Sequence, residues 1–468
     1  MMSNEKAQLT ENKMGVMPVN KLVFNMSLPM MISMLVQALY NIVDSIFVAK
    51  LSEDALTAVS LAFPLQTLLI AVGAGTGVGI NALLSKSLGE KNYKRANDTA
   101  RNGAFLYIIS YIVFLIMGFT AVVPFYAGQV KGEGAADNAA LIMDYGVDYL
   151  SIVMIFSFGL FCQFFFERLL TSTGKTLYSM ISQLSGAVTN IILDPILIFG
   201  LLGLPKMGVA GAAIATVIGQ CVAGIVALIC NLKFNSEIKL NFRKFRPNGR
   251  IISTIYKVGV PSIIMQSIGS IMVYCMNKIL IDFSSTATAV FGVYFKLQSF
   301  FFMPIFGLNN GITPIIAYSY GAQSRKRMVK TIKLSMALAC GLLMIGFAAF
   351  EILPEFMLVK LFDASAEMIK IGVPALRIIG FHFLVAWFCI IAGTIFQSLG
   401  KAVFSLIVSV MRQLVVLVPA AYILSKIGGL EAVWWSFPIA ELMSFTVSTI
   451  CLVRIYRKII KPLPEGNE

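Results

Sequence analysis

The feature that limits this chain most is its set of apolar runs. Twelve stretches each approach or exceed the roughly 20 mostly apolar residues that an α-helix needs to cross a bilayer. They fall at about residues 22–48, 56–84, 103–124, 144–168, 177–202, 208–231, 252–281, 287–318, 332–350, 371–397, 402–424 and 430–453. Lipid offers no water to backbone N–H and C=O groups, so runs of this length must close their hydrogen bonds internally, as helices. Only 13% of the 468 residues are charged, against about 25% in a soluble domain. No part of the chain is polar enough to cover a soluble core. Disordered chains, nucleic-acid modules and disulfide scaffolds are excluded on the same ground. The chain reads as an integral membrane protein.

The net charge of +14 would suggest nucleic acid in a soluble protein. In a membrane protein the same excess reflects the enrichment of Lys and Arg in cytoplasmic loops. With the N-terminus inside, 27 of the 37 Lys+Arg fall in the even-numbered loops and the two tails, six in outer loops and four within spans. This split predicts a multi-pass protein of the cell membrane with both termini cytoplasmic, touching lipid and not nucleic acid. The seven cysteines all lie in apolar stretches with no paired spacing, as small hydrophobes do. No cleaved signal peptide is expected, because the first 20 residues are polar and no small-residue cleavage site follows an apolar core.

The two halves resemble each other in order and register. At an offset of 232, Pro29 aligns with Pro261, Leu65-Gln66 with Leu297-Gln298, Gly75 with Gly307, Gly79 with Gly311, Gly89 with Gly321 and Lys94-Arg95 with Lys326-Arg327. At 226, Ser172, Gly174, Lys175 and Ser179 align with Ser398, Gly400, Lys401 and Ser405. Each half has six spans, an even number, so both enter the membrane in the same direction. The expected fold is an all-α membrane protein with twelve transmembrane helices in two parallel six-helix bundles. Residues 1–231 form the N-terminal lobe, 232–251 a basic cytoplasmic linker, and 252–468 the C-terminal lobe. Parallel repeats of this kind build transporters whose substrate path runs between the bundles.

Enzyme motifs fail on context. Gly73, Gly75, Gly77 and Gly79 lie inside span 2, without the strand that a dinucleotide loop requires; small residues there let helices pack closely. Gly174-Lys175-Thr176 lacks the first glycine of a phosphate loop, because position 169 is Leu169. No catalysis and no cofactor are expected, and the lone His382 is read as a packing residue. With no ATPase motif, the energy for transport would come from an ion gradient.

An ionisable residue in a span needs a partner or a role. Gln37, Tyr40, Asn41 and Asp44 fall at i, i+3, i+4 and i+7 in span 1, one polar stripe on an apolar helix. In span 5, Gln183, Asn190 and Asp194 share a face and Pro195 follows. The two aspartates lie at similar depth. Carboxylates and amide oxygens in a low-dielectric cavity can take a proton or Na⁺, so Asp44, Asn190 and Asp194 could hold Na⁺, while no metal site is firmly marked. Pro29 can bend span 1. Glu167, beside Arg168 at the inner end of span 4, is expected to be a solvated or paired interfacial residue. Arg412 and Glu441 are expected to pair, and Lys278 and Lys296 either to snorkel or to face the cleft. The position matching Asp44 in the second half is Met276, which puts ion coupling in the first half.

These residues resemble the multidrug and toxic compound extrusion (MATE) family, in its MepA-like and DinF-like bacterial branch. The resemblance covers essentially the whole chain. It is carried by Leu28-Pro29, the Asn41–Asp44 stripe, the Gly-rich span 2 ending in Gly89–Arg95, and above all the run from Asn190 through Asp194 to Gly200. It implies a monomeric secondary transporter that exports lipophilic organic compounds, many of them cationic, by H⁺ or Na⁺ antiport with alternating access. It implies ion coupling at Asp44, Asn190, Asp194 and Thr216. Pro29, Gln37, Tyr40, Asn41 and Gln183 would be the polar and hinge residues of the cleft. The rival reading is a flippase for a lipid-linked oligosaccharide or other amphiphile, which would need a basic cavity.

Overall fold

The computed structural model describes residues 12–130, 139–243, 245–362 and 364–465. Lys6, Lys131 and Lys244, which enter the charge balance, lie outside the described residues. Among the described residues every regular element is helical. Ten helices are long and apolar enough to cross a membrane, and two bent pairs bring the spans to twelve. Spans 1 to 6 are Val19–Ala49, Glu53–Gly89, Tyr93–Thr120, the pair Ala139–Ile155 and Phe158–Ser172, Thr176–Phe199, and Gly208–Phe234. Spans 7 to 10 are Gly249–Ile281, Ser285–Gly321, Arg325–Ile352, and the pair Ala366–Gly380 and Phe383–Ser398. Span 11 covers Ala402–Ile427 and span 12 Gly429–Ile460.

The repeat seen in the sequence recurs in the architecture. Spans 4 and 10 are both broken, by 43° and 52°. Spans 3 and 9 are both followed by a nine-residue helix, Val122–Val130 and Pro354–Phe362. Each break falls at a short polar or aromatic step, Phe156-Ser157 and Phe381-His382. One departure is span 11, where Met411–Leu417 is wound as a π-helix. That widening of the turn shifts the register of Arg412, and such segments often mark functional sites.

The two halves meet through spans 1 and 8, spans 2 and 7, and spans 2 and 8. The contact is backbone against backbone, and the glycines of the repeat make it. A Cβ on Gly75 would stand 2.5 Å from Ile263 Cγ1 and 2.9 Å from Ile263 N. Its counterpart Gly307 lies as tightly against Met31, which is the counterpart of Ile263 at the same offset. Gly89 lies against the carbonyl of Tyr318, and Gly321 against that of Lys86. Helices this close exclude any side chain between them. All of these approaches lie in the halves of the spans nearest the end that carries Asn12 and Glu465, here termed the terminus-bearing end.

Two segments cover that end. In the short helix Lys13–Val16, Gly15 sits under Tyr318. Asn12 Nδ2 donates to Thr173 O (3.2 Å) and to both Glu237 oxygens (2.9 and 2.7 Å). Arg327 Nη2, on span 9, donates to Met14 O and Met17 O, both at 2.8 Å. Residues 12–17 therefore tie the first half to the second. Between spans 6 and 7, residues 235–243 and 245–248 run along span 3, where Lys239 N donates to Asn97 Oδ1 (2.6 Å) and Asn248 N to Asn102 Oδ1 (2.8 Å).

Candidate functional site

Spans 5 and 6 come together at Gly186 and Gly219, where a Cβ on either would stand 2.8 Å from the other's carbonyl oxygen. That approach brings span 6 within reach of Asn190, whose Nδ2 lies 3.4 Å from Thr216 Oγ1 and 3.2 Å from Asp194 Oδ1. Three of the four residues marked for ion coupling thus form one bonded cluster. The fourth, Asp44, is half-buried on span 1 and within electrostatic range of Asp194. Beside the cluster opens a cavity of about 120 Å³ lined by Gln37, Tyr40, Glu167, Gln183, Asn190 and Thr216, among others.

Four acceptor oxygens in this region are buried with no described donor: Asp44 Oδ1, Gln183 Oε1, Asn190 Oδ1 and Asp194 Oδ2. A buried acceptor left without a donor costs about 1–3 kcal/mol, so a group of them calls for a proton or a cation. A protonated carboxyl supplies an O–H of its own. Oxygen ligands otherwise suit a hard cation. Among the described residues no group of three or more His, Cys, Asp and Glu side chains is placed to hold a metal ion.

The span 1 stripe divides. Gln37 and Tyr40 line the cavity. Asn41 is on the exposed side of the helix. Pro29 sits inside span 1 without ending it. Its missing N–H leaves the carbonyl of Asn25 without an intrahelical donor, and Thr176 Oγ1 of span 5 supplies one at 3.4 Å.

Glu167 is not the interfacial residue that its place near a span end suggests. It is buried, with Oε1 accepting from Gln163 Nε2 (3.0 Å) and Ser182 Oγ (3.2 Å), and Oε2 from Gln183 Nε2 (2.8 Å). The reason is that the end of span 4 is roofed by protein, through the Asn12 bond to Thr173, and not by headgroups.

A second cavity, of about 440 Å³, lies between the halves. Spans 1, 2 and 4 of the first half and spans 7, 8, 10, 11 and 12 of the second all contribute. Its charged lining residues are Arg168 and Arg412. Arg412 forms the expected ion pair with Glu441, Nη1 to Oε2 at 3.3 Å. Lys278 and Lys296 are exposed and line neither cavity, and Lys278 Nζ lies 5.1 Å from the centre of the Tyr274 ring. His382 packs at the bend of span 10, with Nδ1 2.6 Å from Ile379 O and its ring stacked on Phe302.

The MatE family model matches this chain twice, over residues 29–196 and 261–423. The matches begin 232 residues apart (261 − 29), the offset of the repeat. The chain is similar to the multidrug export protein MepA of Staphylococcus haemolyticus, 28% identical over 427 residues that cover 90% of both chains. It is also similar to the protein of that name from Staphylococcus aureus, 27% identical over 427 residues and 91% of both. A solved outward-facing conformation of a multidrug resistance MATE family transporter of the MOP superfamily matches with a TM-score of 0.88 at 25% identity, over 97% of this chain and 99% of that one. A crystal structure of MATE in the straight conformation matches with a TM-score of 0.87 at 25% identity, over 96% and 99%.

Proposed function

The chain belongs to the MatE family, and on that premise we propose that this multidrug efflux transporter works as an antiporter. It moves organic compounds, cationic ones among them, out of the cell in exchange for inward H⁺ or Na⁺. The terminus-bearing end is cytoplasmic, in keeping with the 27-to-6 division of basic residues. The lobes are residues 1–231 and 252–468, and residues 232–251 join them. With the glycine contacts closed at the cytoplasmic end, the arrangement corresponds to an outward-facing state.

The observation that carries this reading is the group of buried oxygens without donors on Asp44, Gln183, Asn190 and Asp194. In the outward-facing state the two aspartates take up a proton or Na⁺. Their negative charge is then balanced, and span 1 bends near Pro29, where its backbone ladder is already interrupted. Bound compound leaves to the outside. The lobes then rock about the glycine contacts, and the cation leaves to the cytoplasm. Coupling resides in the first half, since Met276 stands where the second half would need an acid.

The test is transport of one fluorescent cation by the purified protein in proteoliposomes, under H⁺ and Na⁺ gradients imposed separately. Movement driven by one gradient and lost in Asp194→Asn supports the reading. Equal movement with no gradient, or undiminished coupling in Asp194→Asn, overturns it.

A further inference from the structure

The cavities share Met34, Gln37, Ile70, Phe164 and Arg168, so they are two compartments of one chamber with Arg168 at the junction. Their charge differs. The first has Glu167 as well as Arg168 in its wall, and Asn190, which bonds Asp194. The second holds only cationic charge, set among neutral amides that include Gln266, Asn309, Asn310 and Gln397.

Of the two guanidinium groups in that compartment, one is matched and one is not. Arg412 has Glu441. Arg168 makes no ion pair among the described residues. Its hydrogen bond is Nη1 to Asn310 Oδ1 at 3.2 Å, and its Nε is buried without an acceptor. The carboxylate beside it in sequence, Glu167, is occupied by three neutral donors. A guanidinium has five N–H donors in a planar fork that fits a carboxylate through two parallel bonds. Half-buried, with only the already satisfied Glu167 as a nearby negative charge, it is costly until an anion arrives.

We propose that Arg168 is the recognition point for a carboxylate carried by transported compounds. The apolar body of such a compound lies in the second compartment, against Met34, Phe164, Met265, Phe306, Ile390 and Phe396. The chamber thus takes carboxylate-bearing organic molecules in addition to plain cations.

The bond from Arg168 to Asn310 joins span 4 of the first half to span 8 of the second. This part of the inference rests on the antiport reading. When the lobes part at the terminus-bearing end, Arg168 leaves Asn310 and its fork is free for the incoming carboxylate. When they close again, Asn310 Oδ1 returns to Nη1 and competes for it. Release is then built into closure.

The experiment uses the full-length protein in nanodiscs and two probes with one aromatic body, rhodamine 110 with its free carboxylate and rhodamine 123, its methyl ester. The expected result is tighter binding of the acid than of the ester, by about tenfold, the size of one charge-assisted hydrogen bond. Arg168→Gln should bring that ratio close to one, Arg168→Lys should keep part of it, and Asn310→Ala should raise acid affinity severalfold. Absence of any acid preference in the wild type, binding of neither probe, or a ratio that survives Arg168→Gln overturns the proposal. Should Arg168→Gln not fold, unchanged acid affinity in Asn310→Ala overturns it. The same probes under H⁺ and Na⁺ gradients separate the two readings. An Arg168-dependent ratio without driven movement sinks antiport and leaves the carboxylate site standing; driven movement without that ratio does the reverse.

Discussion

Gly89 and Gly321 hold equivalent places in the two halves, and each lies against the helix that carries the other. A Cβ on Gly89 would collide with the carbonyl of Tyr318, and one on Gly321 with that of Lys86. Backbone atoms have no rotamer with which to give way, so alanine at either site must push the halves apart. Overpacking of this kind costs about 1–3 kcal/mol. Gly89→Ala and Gly321→Ala should each widen the distance between spin labels on the terminus-bearing ends of spans 3 and 9, and the double variant should widen it further. Unchanged distances in both single variants would refute the glycine seal.

Asp194 is the buried carboxylate of the cluster, and Asn190 already donates to its Oδ1. Asp194→Asn keeps the size of the side chain and removes its ability to take up a cation. Gradient-driven transport should fall by at least about tenfold, equivalent to roughly 1.4 kcal/mol of lost coupling. Thr216→Val should fall less, because it removes a neutral partner. Comparing initial rates with and without the gradient distinguishes coupling from binding.

Pro29 and Thr176 should be energetically coupled. Thr176→Val removes the donor that serves the partly exposed Asn25 carbonyl, at a cost of about 0.5–1.5 kcal/mol for one hydrogen bond. Pro29→Ala restores an intrahelical N–H to the same carbonyl. The loss from Thr176→Val should therefore shrink in a Pro29→Ala background, as a double-mutant cycle of thermal unfolding in detergent will read. Additive effects would mean that the 3.4 Å contact carries no weight.

The segment 12–17 should respond to pH. Burial, and then the like charge of Lys175, push Lys13 down from its ordinary 10.5 to about 8. Undocked, the same amine would hold its proton to about pH 10.4. Between these values the undocked segment binds more protons than the docked one, so docking strengthens as pH rises from about 8 toward 10.4. Burial also raises the Glu237 carboxyl, with Asn12 and Lys175 opposing the rise. Protease protection of residues 12–17 should increase over that range, and Lys13→Met should flatten the profile.

The spans were legible because lipid leaves so few alternatives, and the repeat because its offset stays near 232 through Pro29, Gly75, Gly79 and Gly89. Depth was harder to read than existence. Glu167 and Arg168 stand close to the end of a helix, and in most membrane proteins that means the headgroups. Here the covering residue, Asn12, is 161 positions from Thr173 and 225 from Glu237, beyond any local pattern. The span 1 stripe shows a second limit. Helical spacing places Gln37, Tyr40, Asn41 and Asp44 on one side, while the neighbouring helices decide which edge of that side is covered, and Asn41 falls outside it. The sequence does hold a signal for Arg168: adjacent residues of a helix do not face one partner, so an arginine next to a glutamate needs a partner of its own.

The hold of Arg327 on Met14 and Met17 spans 313 and 310 positions of the chain. During synthesis the N-terminal segment emerges first, yet the guanidinium that fastens it is made only after eight spans are complete. At roughly 5–20 residues per second, the ribosome leaves that segment without its tie to span 9 for about 15–60 s while the whole first bundle is inserted. Joining the halves is therefore a late event in biogenesis. A chain truncated before residue 327 would present a finished first bundle whose leading segment lacks its hold from span 9.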